Sequence, residues 1–264
     1  MVAFRCRITS TLRGNQTERA TMRSERKSPR VSLVLIALVT LVAPAVAFRQ
    51  EATVNPGNPF TLEDFKAGDQ NREPYQRATD VLRALEVTSG ARVADVGAGA
   101  GYYAMRLSEM VGPEGKVFAE DISDAALRWL NRRITVFALR NVEVVRGDID
   151  NPKLPADSLA AVLIVDSYHH FAQQQPMLAH ILQALDPGGR LVIADYSLRD
   201  HRTRSRADQL SIHEIDPELV QHEIEMVGFH VVRRDDPFLR QIPEAKENRI
   251  GAADMWLLVA VRPK

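Results

Sequence analysis

Apolar runs and amphipathic segments alternate along most of the chain. We interpret five short apolar runs as buried strands: 92–96, 116–120, 142–145, 160–165 and 190–194. Helical periodicity appears in four segments: 101–111, 124–139, 173–185 and 214–227. Strands that alternate with helices predict an α/β fold with a mostly parallel sheet, right-handed crossovers and helices on both faces.

The two ends of this alternating region have different patterns. Two more apolar runs, 229–233 and 255–261, have no convincing helix between them, which predicts an antiparallel strand that closes the sheet. At the other side a helix is predicted to begin at Pro74. Residues 48–73 are rich in Pro, Gly, Asn and charge, and they predict an extended arm. We therefore predict one domain over residues 74–264.

The first 47 residues have the pattern of a leader. Basic residues from Arg23 to Arg30 precede the apolar run 31–42, and the small-x-small site Ala45-Val46-Ala47 follows it. The run is short for a membrane span, which needs about 20 residues. We expect residues 1–47 to contain a signal peptide cleaved after Ala47, with Met22 as an alternative start. The protein would then be periplasmic or secreted, or anchored in the membrane only through an uncleaved leader.

Charge and cysteine content narrow the classes of partner. The chain has 34 basic and 34 acidic residues, but 26 basic and 32 acidic residues follow Ala47. A mildly acidic body makes nucleic acid an unexpected partner. The single cysteine, Cys6, lies before the expected cleavage point, so the mature protein would have no disulfide and no thiolate metal site. No feature of the sequence indicates an oligomeric state.

A glycine-rich loop follows the first predicted strand. The segment 95–101 reads Asp-Val-Gly-Ala-Gly-Ala-Gly and leads directly into a helix. Glycines at such a turn let the backbone approach a ligand closely. A dinucleotide fingerprint requires a small residue where Tyr102 stands, and no Gly-Lys-Ser/Thr follows, which excludes a P-loop. About 20 residues further on, Asp121 stands where a carboxylate can accept both hydroxyls of a ribose.

Two further motifs complete a recognisable series. Gly147-Asp148-Ile149 follows the third strand, and Asp186-Pro187-Gly188-Gly189 precedes the fifth. In this order and at these intervals, the motifs resemble the class I S-adenosylmethionine-dependent methyltransferases over residues 74–262. The chain also resembles a group of bacterial predicted methyltransferases with export signals, which shares three of its segments: 65–69, 168–170 and 228–229.

The resemblance implies a set of cofactor contacts. Four residues would line the methionine end of S-adenosylmethionine: Asp95, Gly97, Gly99 and Gly101. Asp121 would bind the ribose, and Asp148 and Ile149 the adenine. Asp166 is expected from topology instead: it stands at the end of strand four, where the turn should open beside the sulfonium. Each of these residues could instead have a purely structural role. The glycines could form a strand–helix turn, Asp121 could cap a helix, and Asp148 could be a turn residue.

The acceptor side is predicted from topology. Ligands of such sheets bind at the carboxyl ends of the strands. Tyr168, His169 and His170 follow strand four, and His213 follows strand five. We expect these four residues to surround the methyl acceptor, with a histidine as base and Tyr168 orienting it; the alternative is a satisfied polar turn. His213 could also join the two histidines of the turn as a metal ligand, but no spacing enforces such a site, and no metal site is predicted.

A basic loop, 199–206, precedes His213. Its four arginines, Arg199, Arg202, Arg204 and Arg206, either attract an anionic acceptor or form a solvated surface loop. The sequence thus predicts transfer of a methyl group from S-adenosylmethionine to a small-molecule acceptor. One alternative is a catalytically silent module that binds S-adenosylmethionine or a nucleotide. Another is a nicotinamide-dependent oxidoreductase, which Tyr102 disfavours.

Overall fold

The computed structural model describes residues 61–240 and 253–264. The predicted leader, 1–47, and the first part of the predicted arm lie outside the described residues. Seven helices are described: α1 Leu62–Gln76, α2 Ala78–Arg83, α3 Tyr102–Val111, α4 Asp124–Val136, α5 Gln174–Ala184, α6 Arg206–Ser211 and α7 Pro217–Val227. The seven described strands are β1 Arg92–Val96, β2 Lys116–Asp121, β3 Val142–Arg146, β4 Leu159–Val165, β5 Leu185–Ser197, β6 His230–Leu239 and β7 Asp254–Val261.

The strands form one sheet in the order β3-β2-β1-β4-β5-β7-β6. Strands β1 to β5 pair in parallel, whereas β7 is antiparallel to both β5 and β6. The predicted fold, a mostly parallel sheet with an antiparallel closing strand, is confirmed. The strand order reverses between β1 and β4, and the carboxyl ends of these strands define the crevice where this architecture binds ligands.

Helices cover both faces of the sheet, so its central strands are buried on both sides. Along β4, Ala161, Leu163 and Val165 pack with α2 and α3, while Val162 and Ile164 pack on the other face with α5 and α7. This alternation follows from the two-residue period of a strand. A strand covered on both faces reads as a continuous apolar run rather than an alternating one, which is the pattern of residues 159–165.

The structure corrects the predicted arm. Residues 62–76 form α1, so helix begins 12 residues before Pro74, and Pro74 lies inside it. The reason is local: the Thr61 hydroxyl accepts from the Asp64 backbone N–H, and the Asp64 carboxylate accepts from the Thr61 backbone N–H. This capping box satisfies amides at the helix start. The apolar content of the segment is low, so hydrophobic periodicity did not reveal the helix.

The segment between β5 and α7 also differs from the prediction. The basic loop contains a 3₁₀ turn, Arg199–His201, and its last residue begins α6. The helix predicted over 214–227 begins only at Pro217, where the Asp216 side chain caps it. Among the residues that the structure describes, no helix is long and apolar enough to cross a membrane.

Candidate active site

The glycine loop after β1 fits tightly against the loop after β4. Gly97, Gly99 and Gly101 have φ values of 74°, 56° and 82°, in the left-handed region that favours glycine. A Cβ on Gly97 would lie 1.9 Å from the Ser167 hydroxyl oxygen, so no side chain fits there. By contrast, nothing lies within 4 Å of a Cβ built on Gly99, which borders open space.

Two buried carboxylates face this loop. Asp95, in β1, and Glu120, in β2, are both 2% exposed. Glu120 Oε2 accepts a hydrogen bond from the Gly97 backbone N–H at 3.3 Å, while Asp95 Oδ2 and Glu120 Oε1 are buried without a partner. Burial raises the pKa of Asp95 to about 7 and that of Glu120 to about 8. Buried polar atoms without a partner are rare in proteins, and these two lie beside the glycine loop. Sequence reasoning identified Asp95 and missed Glu120.

Asp121 lies where the resemblance places a ribose ligand. Its Oδ2 accepts from the Gly99 backbone N–H at 2.9 Å, and its Oδ1 accepts from the Ser123 backbone N–H at 2.8 Å. A carboxylate has about four acceptor positions, so these two bonds leave capacity for two hydroxyls. Ser123, not Asp121, provides the side-chain cap of α4. The geometry therefore fits a binding role better than the helix-cap alternative.

The predicted adenine contacts lie at the surface. Asp148 and Ile149 follow β3, and Ile149 is 55% exposed. The Asp148 carboxylate accepts from the Lys153 ammonium at 2.8 Å, and its backbone pairs with Asn151. An exposed apolar side chain after β3 can cover a flat base, but the turn-residue alternative for Asp148 also fits these contacts.

Asp166 ends β4 with a strained backbone. Its φ is 54°, and its side chain is 25% exposed. Burial raises the pKa of Asp166 to about 6, and the nearby carboxylate of Asp195 adds to the rise. The Arg72 guanidinium of α1 lies 4.0 Å from the Asp166 carboxylate. Helix α1, predicted as an arm, thus contributes a cation to the crevice.

The three predicted histidines come together. The ring centroids of His169 and His170 are 4.1 Å apart. The ring centroid of His213 lies 5.5 Å from that of His169 and 5.1 Å from that of His170. His213 has a φ of 58°, an uncommon conformation for a residue with a side chain. The topological argument placed these residues at one edge of the sheet, and the structure has them in mutual contact.

A buried carboxylate orients His169. Asp195 of β5 is 0% exposed, and its Oδ1 lies 2.9 Å from His169 Nδ1. Burial opposes the charged form of His169, but Asp195 outweighs it and raises the pKa of this histidine. Burial and the two neighbouring histidines lower the pKa of His170 to about 4. Sequence reasoning missed Asp195, although a carboxylate near the carboxyl end of β5 could have been found by the same topological argument.

Tyr168 does not lie with the histidines, which corrects its predicted contact with the acceptor. It is 0% exposed, packs against Phe171, and donates from its hydroxyl to Glu223 Oε2 at 2.7 Å. Adjacent residues of a 3₁₀ turn point in different directions. The ring therefore enters the helical layer while His169 and His170 face the crevice.

Glu223 of α7 connects the histidine turn to the basic loop. It accepts from Arg206 Nε at 2.6 Å, and Arg206 Nη2 donates to the Phe171 carbonyl at 2.9 Å. Arg202 makes a two-pronged contact with Asp236 at 2.5 Å and 2.9 Å. Two of the four arginines are thus paired structural groups, which corrects the solvated-loop interpretation for them; Arg199 and Arg204 are exposed.

Part of this chain is similar in sequence to known methyltransferases. Residues 93–189 match a family model described as methyltransferase domain. Over 147 residues the chain is 32% identical to the ubiquinone/menaquinone biosynthesis C-methyltransferase UbiE of Pseudomonas putida. That match covers 55% of this chain and 56% of the relative, so it spans about half of each protein.

Solved structures share the fold. A methyltransferase from Aquifex aeolicus, described as S-adenosylmethionine-dependent, superposes with a TM-score of 0.60 at 23% identity, over 75% of this chain and 95% of its own. A phosphoethanolamine N-methyltransferase of Haemonchus contortus, solved with S-adenosylmethionine, has a TM-score of 0.56 at 17% identity, over 74% and 57% of the two chains. Residues 93–189 therefore match a methyltransferase domain, and the described part of the chain has the fold of these solved methyltransferases.

Proposed function

We propose that this protein transfers a methyl group from S-adenosylmethionine to a small-molecule acceptor that enters beside the three histidines. The observation that carries the proposal is the pair of buried, partly unpartnered carboxylates, Asp95 and Glu120, beneath the glycine loop of a methyltransferase domain. A catalytically silent binding module would also keep these groups. The histidine cluster on the acceptor side favours the enzyme.

The residues have separate tasks in this proposal. S-adenosylmethionine, when bound, supplies an electrophilic methyl group on a sulfonium. Gly97 and Gly99 let the loop backbone approach the cofactor, and Asp121 accepts its ribose hydroxyls. The crevice aligns the acceptor and excludes water, which accounts for most of what a methyl-transfer site must do.

The acceptor class is suggested by the relatives. The Pseudomonas protein is named for C-methylation in ubiquinone and menaquinone biosynthesis. We infer a small acceptor that presents a nucleophilic carbon or oxygen to the cofactor, rather than a macromolecule. The acidic body of the chain is consistent with an acceptor other than nucleic acid.

Calorimetry with the purified protein tests the cofactor assignment. S-adenosylmethionine and S-adenosylhomocysteine should bind, and NAD should not. Asp121→Ala should weaken binding by about 1–3 kcal/mol, because the ribose hydroxyls lose a charged acceptor. Glu114→Ala, at the opposite end of β2, is the control and should bind normally. Tighter binding of NAD than of S-adenosylmethionine would overturn the proposal.

We also propose that the protein works outside the cytoplasm. The support is the leader pattern of residues 1–47, with its basic segment, apolar run and Ala-Val-Ala site. S-adenosylmethionine is made in the cytoplasm, so an exported enzyme would depend on cofactor that reaches it there or is bound before export.

A further inference from the structure

The three-histidine cluster has the composition and the spacing of a metal centre. One ring nitrogen from each of His169, His170 and His213 lies within 4.8 Å of the others. Nitrogens bound at 2.0–2.1 Å to a tetrahedral zinc ion are about 3.4 Å apart. The exposed ring of His170 can rotate to bring its nitrogen closer to those of the buried His169 and the partly buried His213.

The surroundings of His169 are those of a metal ligand. Histidines that bind metals almost always use their second ring nitrogen to contact a carboxylate, a backbone carbonyl or water, which fixes the orientation of the ring. His169 Nδ1 lies 2.9 Å and 3.1 Å from the two oxygens of the buried Asp195. Asp195 is itself held, because its oxygens accept from the backbone N–H groups of His169 and Tyr196. This leaves Nε2 of His169 on the edge of the ring that is turned away from Asp195.

The turn that carries His169 and His170 is also held in place by hydrogen bonds on its buried side. Tyr168, next to His169 in the chain, is anchored by Glu223, and Arg206 ties Glu223 to the end of the same turn. A binding constellation needs such support to keep its ligands within about 0.5 Å of their working positions. The left-handed backbone of His213 adds local strain, which persists only where the surrounding structure imposes it.

We propose that His169, His170 and His213 bind a divalent transition-metal ion, with zinc as the best fit to three imidazoles and no thiolate. Three protein ligands leave a fourth position open, as in catalytic rather than structural zinc sites. That position would accept an ionisable oxygen of the methyl acceptor. This last point rests on the proposed function, whereas the metal site itself does not.

Metal titration of the full-length protein tests the site without any acceptor. The protein should carry Cys6→Ser and no polyhistidine tag, so that no thiol or added histidine contributes. Competition with a chromophoric chelator should show one zinc ion per chain. The visible absorption of bound Co²⁺ should report nitrogen ligation with four-coordinate geometry.

Variants decide whether these histidines are the ligands. His170→Ala and His213→Ala should each lower zinc affinity at least tenfold, and Asp195→Asn should lower it about 10–100-fold by releasing the orientation of His169. His222→Ala removes an exposed histidine of α7 and should leave the affinity unchanged. Circular dichroism checks that each variant is folded.

Three results would overturn the metal site. They are zinc binding well below one ion per chain, unchanged affinity in both His170→Ala and His213→Ala, and equal loss in His222→Ala. The methyl-transfer proposal is tested separately, by calorimetry with S-adenosylmethionine in the absence of zinc. A protein that does not bind S-adenosylmethionine would contradict that proposal and leave the metal site untouched.

Discussion

At the scale of single residues, the crevice contains two carboxylates that are buried with too few hydrogen-bond donors. Asp95 and Glu120 are buried near each other, and each has an oxygen without a hydrogen-bond partner. A buried ionised carboxylate costs several kcal/mol unless donors surround it. Proteins tolerate such local conflicts mainly at functional sites. We therefore take the two unpartnered oxygens as a mark of a functional site.

Glu120 makes stability depend on pH. Its pKa is raised from 4.5 to about 8, so the folded protein retains a proton that the unfolded chain releases near 4.5. The contribution of Glu120 to stability is therefore present below pH 4.5 and is lost as the pH rises towards 8. Glu120→Gln lacks this dependence and should gain stability relative to the parent between pH 5.5 and 8.5.

Urea unfolding at pH 5.5 and pH 8.5 measures this difference. The gain should amount to a few kcal/mol, because one pKa unit corresponds to about 1.4 kcal/mol. Glu114→Gln, which alters an exposed carboxylate before the same strand, should show no such gain. A Glu120→Gln variant that tracks the parent at both pH values would mean that Glu120 is ionised throughout.

Tyr168 should act through packing and one hydrogen bond. Tyr168→Phe keeps the buried ring but leaves Glu223 Oε2 without its donor. We expect a loss of about 1–3 kcal/mol in the free energy of unfolding and unchanged S-adenosylmethionine affinity. Urea unfolding and calorimetry check the two parts. A variant of normal stability with impaired cofactor binding would place Tyr168 in the crevice after all.

At the scale of elements, Arg133 of α4 connects α1 to the glycine loop. Both oxygens of Asp69, in α1, accept from the Arg133 guanidinium, at 2.8 Å and 3.0 Å. Arg133 Nε donates to the Ala100 carbonyl at 2.7 Å, and its guanidinium lies 4.5 Å from the centre of the Phe65 ring. The segment 65–69 thus supports the glycine loop from outside.

Breaking this ion pair should destabilise the protein strongly. The side chains of Asp69 and Arg133 are 9% and 5% exposed, so Asp69→Ala leaves a buried charge unpaired, at a cost of about 3–5 kcal/mol. Asp69→Leu combined with Arg133→Met should cost less than Asp69→Ala alone. Urea unfolding measures both. Arg83→Ala breaks an exposed pair in α2 and should cost at most about 1 kcal/mol; a similar cost for Asp69→Ala would show that α1 is only loosely attached.

The elements that sequence predicted well are those fixed by local pattern. The predicted bounds of β1, and those of α3, agree with the structure to within a residue, because a period-two or period-3.6 pattern between glycines marks both ends. Helix α1 was missed because it is held by Asp69 and Arg133, a contact between residues 64 positions apart. A charge pair at that separation leaves no periodic trace in the sequence.

At the scale of the whole molecule, the order of the strands assembles the site. The turn after β4 and the segment after β5 meet because these strands are parallel neighbours. Convergence of the histidines could therefore be predicted from topology alone. The direction of each side chain could not be predicted. Successive residues of a 3₁₀ turn project about 120° apart, and only packing decides which of them, here Tyr168, enters the core.

The last prediction concerns the complete chain and where it works. If residues 1–47 are a signal, the mature protein begins at Phe48 and is found outside the cytoplasm. Amino-terminal sequencing of the protein from cell fractions decides between cleavage after Ala47 and an uncleaved anchor. Ala47→Asp should block cleavage, because the site requires a small uncharged residue, while Ala52→Asp, five residues later, should not. A soluble cytoplasmic protein that keeps residues 31–47 would contradict export and would remove the conflict with the cytoplasmic origin of the cofactor.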